Sequence, residues 1–270
     1  MNSLSECGEK LARLRTILAN CGPRVVACSG GLDSMLLAYL AHCDSPEKTL
    51  IAHAGSVAVP SEAGLRLQSF AAYAGWNLIY VKTSEHEDES YLKNPKNRCY
   101  FCKKHLYETL TSFNREILSG TNLDDLGEYR PGLEAAKERS VRHPYVEAGL
   151  SKEDLRAISR ELSLPFSELP ASPCLASRLY TGTRVTGRRL ALVDEVETLI
   201  REKASIAVVR ARLKERSMLI EVISEDRAKI TDSLMSELQK KFLFDYSDVV
   251  ESITLDAESY RPGRSFVVLQ

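Results

Sequence analysis

The residues with the clearest chemical potential form the loop Ser29-Gly30-Gly31-Leu32-Asp33-Ser34. The loop follows a short apolar run and opens a stretch with a helical pattern. Its two glycines let the backbone turn tightly and approach a ligand closely, because no Cβ atoms stand in the way. The free N–H groups and the positive dipole end of a following helix favour an anion. The sequence therefore predicts a phosphate-binding loop.

The polar side chains of this loop suggest two kinds of contact. The hydroxyls of Ser29 and Ser34 can donate to phosphate oxygens, whereas the carboxylate of Asp33 suits Mg²⁺ held on a pyrophosphate. The alternative is a glycine-rich turn with a helix N-cap, which the complete strand–loop–helix string disfavours. No Walker A string is present, since Arg188 and Arg189 stand where such a string needs Lys and Ser or Thr.

A pair of cysteines three residues apart forms the second candidate site. A helix would place the thiols of Cys99 and Cys102 on one face. Such a pair fits a redox site, half of a zinc site or ligands of an iron–sulfur cluster. Cys174, in a segment rich in proline, is either functional or a buried structural cysteine. The other four cysteines show no ligand-like spacing, and Cys28 and Cys43 are interpreted as core residues.

The elements that must position these residues alternate along the chain. Strands are predicted at 24–28, 49–54, 77–81 and 115–119, and helices at 34–42 and 61–74. Strands that alternate with helices imply βαβ units, so we expect a parallel sheet with helices on both faces. The charged segment 84–98, between the third and fourth strands, is interpreted as a solvated loop or a mobile lid.

A second pattern follows a proline-rich stretch, and we place a domain boundary there, which gives domains 1–185 and 186–270. Helices are predicted at 187–203 and 224–242, and strands at 206–212, 218–223 and 249–255. The αββαβ order suggests a small α+β domain, such as a variant of the ferredoxin-like fold.

The composition excludes several classes of protein. The chain has 270 residues, 44% of them hydrophobic and 27% charged, which excludes a disordered, collagenous or coiled-coil protein. A net charge of -1 argues against a dominant electrostatic grip on nucleic acid. No apolar stretch is long enough to span a bilayer, and the N-terminus does not resemble an export signal. We therefore expect a cytoplasmic protein without a membrane segment, whose cysteines are not disulfide staples.

Several strings together resemble known families. The phosphate loop alone is similar to the PP-loop of the ATP pyrophosphatase superfamily, which implies an adenine nucleotide alpha hydrolase-like fold for the first domain. With four further strings, the resemblance extends to the LarE family of pyridinium-3,5-biscarboxylic acid mononucleotide sulfurtransferases. These four strings span 98–103 (RCYFCK), 120–125 (GTNLDD), 129–132 (YRPG) and 173–178 (PCLASR).

The resemblance implies a two-stage reaction in the biosynthesis of the nickel-pincer nucleotide cofactor of lactate racemase. ATP with Mg²⁺ adenylates a carboxylate of the mononucleotide substrate and pyrophosphate leaves. A sulfur nucleophile then displaces AMP to give a thiocarboxylate. The resemblance assigns catalytic roles to Asp33 and Cys174, and cofactor binding to the loop residues Ser29, Gly30, Gly31, Asp33 and Ser34.

The sulfur source differs within the family that the chain resembles. One group sacrifices the cysteine that matches Cys174, which ends as dehydroalanine. Another group uses three cysteines to hold a [4Fe–4S] cluster. The resemblance of Cys99, Cys102 and Cys174 to those three ligands favours the cluster, because three thiolates leave one iron without a protein ligand. A zinc site with His105 as the fourth ligand is a lesser alternative.

Three arginines match family positions near the substrate phosphate. Arg178, Arg210 and Arg212 are implied to bind it, and a guanidinium suits a phosphate well. Arg210 and Arg212 alternate along a predicted strand, so both side chains lie on one face of it. The alternative to phosphate binding is that both arginines lie on a solvated edge face of the sheet. Glu197 matches an acidic family residue in the first helix of the second domain.

The pair Asp124-Asp125 is assigned to Mg²⁺ or adenosine, or to the cap of a turn. The resemblance also suggests a homo-oligomer. The competing functions are a PP-loop tRNA thiolase, which should carry a basic surface or an RNA-binding module, and a non-catalytic nucleotide- or cluster-binding protein.

Overall fold

The computed structural model describes residues 2–127 and 129–266, apart from the side chains of residues 2–7, among them that of Cys7. The described chain divides into two compact units. Unit 1 comprises the described residues up to Ser56, with Ser61–Glu85 and Cys99–Ala171. Unit 2 comprises Val57–Pro60, His86–Arg98 and the described residues from Ser172 onward.

Unit 1 contains a four-stranded parallel sheet, with elements numbered along the whole chain. Its strands are β1 (Arg24–Ala27), β2 (Thr49–Ala54), β3 (Leu78–Val81) and β4 (Glu116–Ser119). Its helices are α1 (Asn2–Ala19), α2 (Leu32–Asp44), α3 (Ser61–Ala74), α5 (Arg98–Thr111), α6 (Gly132–Glu138), α7 (Pro144–Ala148) and α8 (Lys152–Glu161). The strand order is β3-β2-β1-β4, and every pair is parallel. The α/β fold predicted from the alternating pattern is confirmed.

Both faces of this sheet are covered, because successive strand residues point in opposite directions. Val26 belongs to a core formed with α1, α2, α3 and α8. Its neighbour Val25 belongs to a second core formed with α5 and α6. Beyond β4, an isolated parallel bridge between Leu118 and Arg142 continues the sheet.

Unit 2 contains a three-stranded sheet in the order β5-β6-β7. Its strands are β5 (Val209–Lys214), β6 (Ser217–Val222) and β7 (Ser252–Leu255), and its helices are α4 (Glu89–Leu92), α9 (Gly187–Ala204) and α10 (Asp232–Asp245). β5 and β6 form an antiparallel hairpin, whereas β6 and β7 are adjacent and parallel with α10 between them in the chain. The parallel pair differs from the ferredoxin-like expectation.

The predicted helix at 224–242 is wrong in its first part. Residues Ser224–Lys229 form a short 3-10 helix. α10 begins only at Asp232, because the Thr231 side chain accepts a hydrogen bond from the backbone N–H of Leu234 and caps the helix there.

The segment 84–98, which was expected to be a solvated loop or a mobile lid, belongs to unit 2 from His86 onward and is partly buried in it. Asn94 is 1% exposed, and its side-chain amide donates to the carbonyls of Tyr180 at 2.8 Å and Thr183 at 2.9 Å. The backbone N–H of Gly182 donates to the Asn94 carbonyl at 3.0 Å. This segment is therefore held against the chain that follows Cys174.

The structure divides between Ala171 and Ser172, before the boundary expected at 185/186. The reason is that the proline-rich segment packs on the second sheet. The backbone N–H of Tyr180 donates to the carbonyl of Leu213 at 3.0 Å, and Leu179 pairs with Leu213 in an isolated bridge. None of the helices that the structure describes combines the length and the apolar character that a membrane span needs.

Candidate active site

The phosphate loop lies at the carboxyl end of β1, between β1 and α2. β1 has β2 on one side and β4 on the other, so the chain reverses its direction of travel across the sheet at this strand. Ligands of open parallel sheets bind outside the carboxyl ends of the strands at such a switch point. The topology therefore places the predicted loop where a nucleotide would be expected.

Two glycines are required by close backbone approaches. Gly30 has a φ of +82°, and a Cβ atom there would lie 2.5 Å from the carbonyl oxygen of Ala63. A Cβ atom on Gly120, which follows β4, would lie 3.0 Å from the backbone N of Ser34. The loop and the first turn of α2 are thus packed directly against α3 and the end of β4.

The two serines of the loop have different surroundings. The Ser34 hydroxyl is buried, accepts a hydrogen bond from the backbone N–H of Ser29 at 3.1 Å and donates to the carbonyl of Gly31 at 3.1 Å. Ser29 is exposed, and its hydroxyl lies 3.2 Å from that of Ser34. No side chain that the structure describes caps α2, so its first-turn N–H groups are available to an anion.

Asp33 has a buried carboxylate oxygen, Oδ1, with no hydrogen-bond partner among the described residues. Its Oδ2 lies 3.4 Å from Asn122 Nδ2 and 3.4 Å from Lys152 Nζ. Burial raises the pKa of Asp33, and Lys152 opposes that rise. A half-buried carboxylate with an unused oxygen beside a phosphate loop fits the oxygen ligands that Mg²⁺ prefers.

The sequence interpretation missed three residues that surround Asp33. Lys152, the first residue of α8, brings a cation to a loop that has none of its own. Tyr145 is fully buried and its hydroxyl donates to the backbone carbonyl of Asp33 at 2.8 Å. Asn122 is also fully buried. No spacing in the sequence could have identified them, because they come from separate segments between β4 and α8.

Asp124 and Asp125 both cap backbone groups. The Asp125 carboxylate accepts a hydrogen bond from the N–H of Asn122 at 3.1 Å and pairs with Arg130 at 2.7 Å. The Asp124 carboxylate accepts one from the N–H of Lys152 at 2.6 Å. Together these bonds fix Asn122 and Lys152, the two residues next to Asp33.

The cysteines of the predicted metal site belong to both units. Cys99 and Cys102 are one turn apart on α5 in unit 1, and Cys174 precedes the short 3-10 helix Leu175–Arg178 in unit 2. All three are partly exposed and form no disulfide among the described cysteines. Within either unit, the described His, Cys, Asp and Glu side chains form no group of three suited to a metal ion.

The two cysteines interpreted as core residues differ from each other. Cys28 is buried, and burial raises the pKa of its thiol to about 11. Cys43 is exposed, so its interpretation as a core residue was wrong. It lies near the C-terminal end of α2, where the helix leaves the core. His105, the alternative zinc ligand, pairs through Nδ1 with the Ser84 hydroxyl at 2.9 Å.

Arg178 and Glu197 form a fully buried ion pair in unit 2. The guanidinium donates to both carboxylate oxygens, at 2.9 and 3.0 Å, and its remaining nitrogen donates to the carbonyls of Pro173 at 2.6 Å and Cys174 at 3.2 Å. Arg178 therefore holds the backbone at Cys174. Glu197 also accepts from Arg201 at 2.7 Å, which accounts for its burial with a charge.

Arg212 forms a similar pair with Glu221, which is 0% exposed. Its Nε donates to the Glu221 carboxylate at 2.8 Å, and its other nitrogens donate to the carbonyls of Ser177 and Arg261. Arg210 lies on the same face of β5 and is 5% exposed. The solvated-edge interpretation of Arg210 and Arg212 is therefore wrong, since both side chains are buried.

No family model matches the chain. The uncharacterised protein slr1717 of Synechocystis sp. is 34% identical over 264 residues, which are 94% of this chain and 96% of that protein. The uncharacterised protein MJ0830 of Methanocaldococcus jannaschii is 30% identical over 88% of this chain and 90% of its own length.

A named protein is more distantly similar. The pyridinium-3,5-bisthiocarboxylic acid mononucleotide synthase of Lactiplantibacillus plantarum is 29% identical over 264 residues, which cover 94% of this chain and 93% of the synthase. All three alignments span both units. The chain therefore belongs to the family that contains slr1717 and MJ0830, and it is a distant homologue of the L. plantarum synthase.

Proposed function

We propose that this protein is an ATP-dependent sulfurtransferase of nickel-pincer nucleotide biosynthesis. It would adenylate a carboxylate of pyridinium-3,5-biscarboxylic acid mononucleotide and convert it to a thiocarboxylate. The similarity to the L. plantarum synthase supports this substrate class. The observation that carries the ATP-dependent half is the uncapped N-terminus of α2 beside Asp33, whose Oδ1 has no partner among the described residues.

The first stage makes a poor electrophile reactive. A carboxylate oxygen of the substrate attacks the α-phosphorus of ATP, the bond to the bridging oxygen breaks, and pyrophosphate leaves with the electron pair. The first-turn N–H groups of α2 and the Lys152 ammonium would offset the negative charge on the departing pyrophosphate. Asp33 would hold Mg²⁺, which polarises phosphoryl oxygens when bound.

The second stage replaces AMP by sulfur. We propose that Cys99, Cys102 and Cys174 are the ligands of a [4Fe–4S] cluster, since thiolates are the soft ligands that such clusters require. The three thiolates would hold such a cluster, which when bound would supply the sulfide that displaces AMP. The alternative is that Cys174 itself gives up its sulfur, and the Arg178 bond to its carbonyl holds it in place for either role.

The buried arginines would receive the substrate phosphate, as the resemblance implies for Arg178, Arg210 and Arg212. We also propose a homo-oligomer in the cytoplasm, where thiols stay reduced. A tRNA thiolase remains the competing function, and tRNA binding that weakens steeply with salt would favour it.

The test is pyrophosphate release that depends on the mononucleotide. Asp33→Asn should lower the rate by about 10²-fold or more, because it removes a group that positions charge at the reacting phosphates. Asp232→Asn is the matched control, since Asp232 is an exposed acid in the first turn of α10. Equal rates for the two variants would remove Asp33 from the site, and release without the mononucleotide would contradict the proposed substrate.

A further inference from the structure

Arg66, on α3, contacts the backbone of the phosphate loop, although the sequence did not single it out. Its Nη1 donates to the carbonyl of Gly30 at 2.7 Å. One turn earlier on the same face of α3, the Ala63 carbonyl oxygen would lie 2.5 Å from a Cβ atom on Gly30. All three residues belong to unit 1. The loop is therefore held against α3 at two backbone groups.

The bond from Arg66 to the loop is a charge-assisted one. The Arg66 side chain is partly buried. Burial lowers the pKa of Arg66 and the Glu62 carboxylate opposes that fall, but a guanidinium keeps its charge at neutral pH. Hydrogen bonds from charged donors are shorter and about twice as strong as neutral ones. Arg66 therefore fixes the peptide that joins Gly30 to Gly31.

The orientation of this peptide decides where one N–H group of the loop points. In a trans peptide, the C=O of one residue and the N–H of the next point in opposite directions. Because the Gly30 carbonyl accepts from Arg66, the Gly31 N–H points away from the guanidinium. It points instead toward the exposed Ser29 hydroxyl, at an N···O distance of 3.5 Å, which is too long for a strong hydrogen bond. This N–H is therefore available to an anion beside Ser29.

We infer that Arg66 is a positioning residue of the phosphate loop, which holds the peptide after Gly30 so that the Gly31 N–H donates to a phosphate oxygen of ATP. This inference rests on the proposed function, because that function makes the ligand ATP. A peptide between two glycines turns easily, since neither residue has a Cβ atom to restrict it. A donor that is already oriented costs no reorganisation when the phosphate binds. Arg66 thus acts on the phosphate through the backbone.

Calorimetric titration with ATP and Mg²⁺, and separately with adenosine, tests the inference, because adenosine has no phosphate. Arg66→Ala should raise the Kd for ATP by about tenfold or more, the effect of losing a hydrogen bond to a charged group, and leave the Kd for adenosine unchanged. Arg66→Lys, which keeps a charged donor, should bind ATP more tightly than Arg66→Ala. Arg115→Ala is the matched control and should change neither Kd. Arg115 also donates to a backbone carbonyl of unit 1, that of Lys48 at 2.8 Å, but at the amino ends of β4 and β2.

Magnetic resonance of protein with isotope-labelled glycine follows the Gly31 amide directly. Its signal should shift when ATP is added to the wild-type protein, and shift much less in Arg66→Ala, while urea unfolding establishes that each variant is folded. An ATP affinity of Arg66→Ala equal to that of the wild type would overturn the inference. An equal loss of adenosine affinity, or a Gly31 signal that does not respond to ATP, would overturn it too.

Failure of the proposed function is a separate outcome. A wild-type protein that binds ATP with the expected dependence on Arg66, but releases no pyrophosphate with the mononucleotide, would refute adenylation. The positioning role of Arg66 would then remain, because it concerns the binding of the ATP phosphates and not the reaction that follows.

Discussion

Gly30→Ala changes the one loop residue whose backbone and surroundings both exclude a side chain. At φ +82°, a residue other than glycine costs about 1–2 kcal/mol. The new Cβ atom would also lie 2.5 Å from the Ala63 carbonyl oxygen, a backbone atom that cannot turn away as a side chain can. Such overpacking adds about 1–3 kcal/mol. The free energy of unfolding should therefore fall by about 2–5 kcal/mol.

Gly64→Ala is the matched control, because Gly64 directly follows Ala63 in α3 and has no atom within 4 Å of a built Cβ. It should raise the free energy of unfolding by about 0.5–1 kcal/mol through the helical preference of alanine. Urea unfolding measures both values. ATP titration at a temperature where both variants are folded should show weaker binding only for Gly30→Ala. Equal stability and equal ATP affinity of the two variants would refute the assignment of the loop.

Two further predictions concern the buried charges and the cysteines. Glu197→Gln should lower the free energy of unfolding by about 3–5 kcal/mol, because the substitution leaves the Arg178 charge buried without its counter-ion. Urea unfolding measures this loss, and a loss below about 1 kcal/mol would contradict the prediction. Although burial favours the neutral form, Arg178 and its neighbours hold the pKa of Glu197 below its ordinary value. The stabilisation from the Glu197 carboxylate should therefore be fully present above its unfolded pKa of about 4.3 and should be lost as the pH falls through its lower pKa in the folded protein. The Gln variant should lack this pH dependence. Iron analysis of anaerobically purified protein should find about four irons per chain. This iron should be lost from each of the variants Cys99→Ser, Cys102→Ser and Cys174→Ser, whereas the control Cys43→Ser should keep it. Iron-free protein that is active for a single turnover would instead support sacrifice of Cys174.

The four strands of unit 1 and the helices α2 and α3 could be predicted because short apolar runs alternate there with helical patterns, whereas α6, α7 and α8 were not identified. The loop at 29–34 is an example, since glycines, strand and helix lie next to one another in the chain. The elements of unit 2 were predicted less well. There the cap at Thr231 starts α10 at Asp232, and the charged run before it forms a short 3-10 helix instead.

The parts of the candidate site that the sequence did not reveal depend on tertiary packing. Lys152 reaches Asp33 because the Asp124 carboxylate accepts a hydrogen bond from its backbone N–H, a contact between residues far apart in the chain. Tyr145 likewise donates to the backbone carbonyl of Asp33 from a position 112 residues further along the chain. Neither residue carries a local pattern that distinguishes it from a surface lysine or tyrosine.

Mass spectrometry of the small-molecule products tests the central proposal most directly. Anaerobic protein, supplied with ATP, Mg²⁺ and pyridinium-3,5-biscarboxylic acid mononucleotide, should convert one carboxylate to a thiocarboxylate, with one sulfur in place of one oxygen. AMP and pyrophosphate should appear in equal amounts with that product. A mononucleotide recovered unchanged, from protein that contains its sulfur source and still binds ATP, would contradict the proposed function.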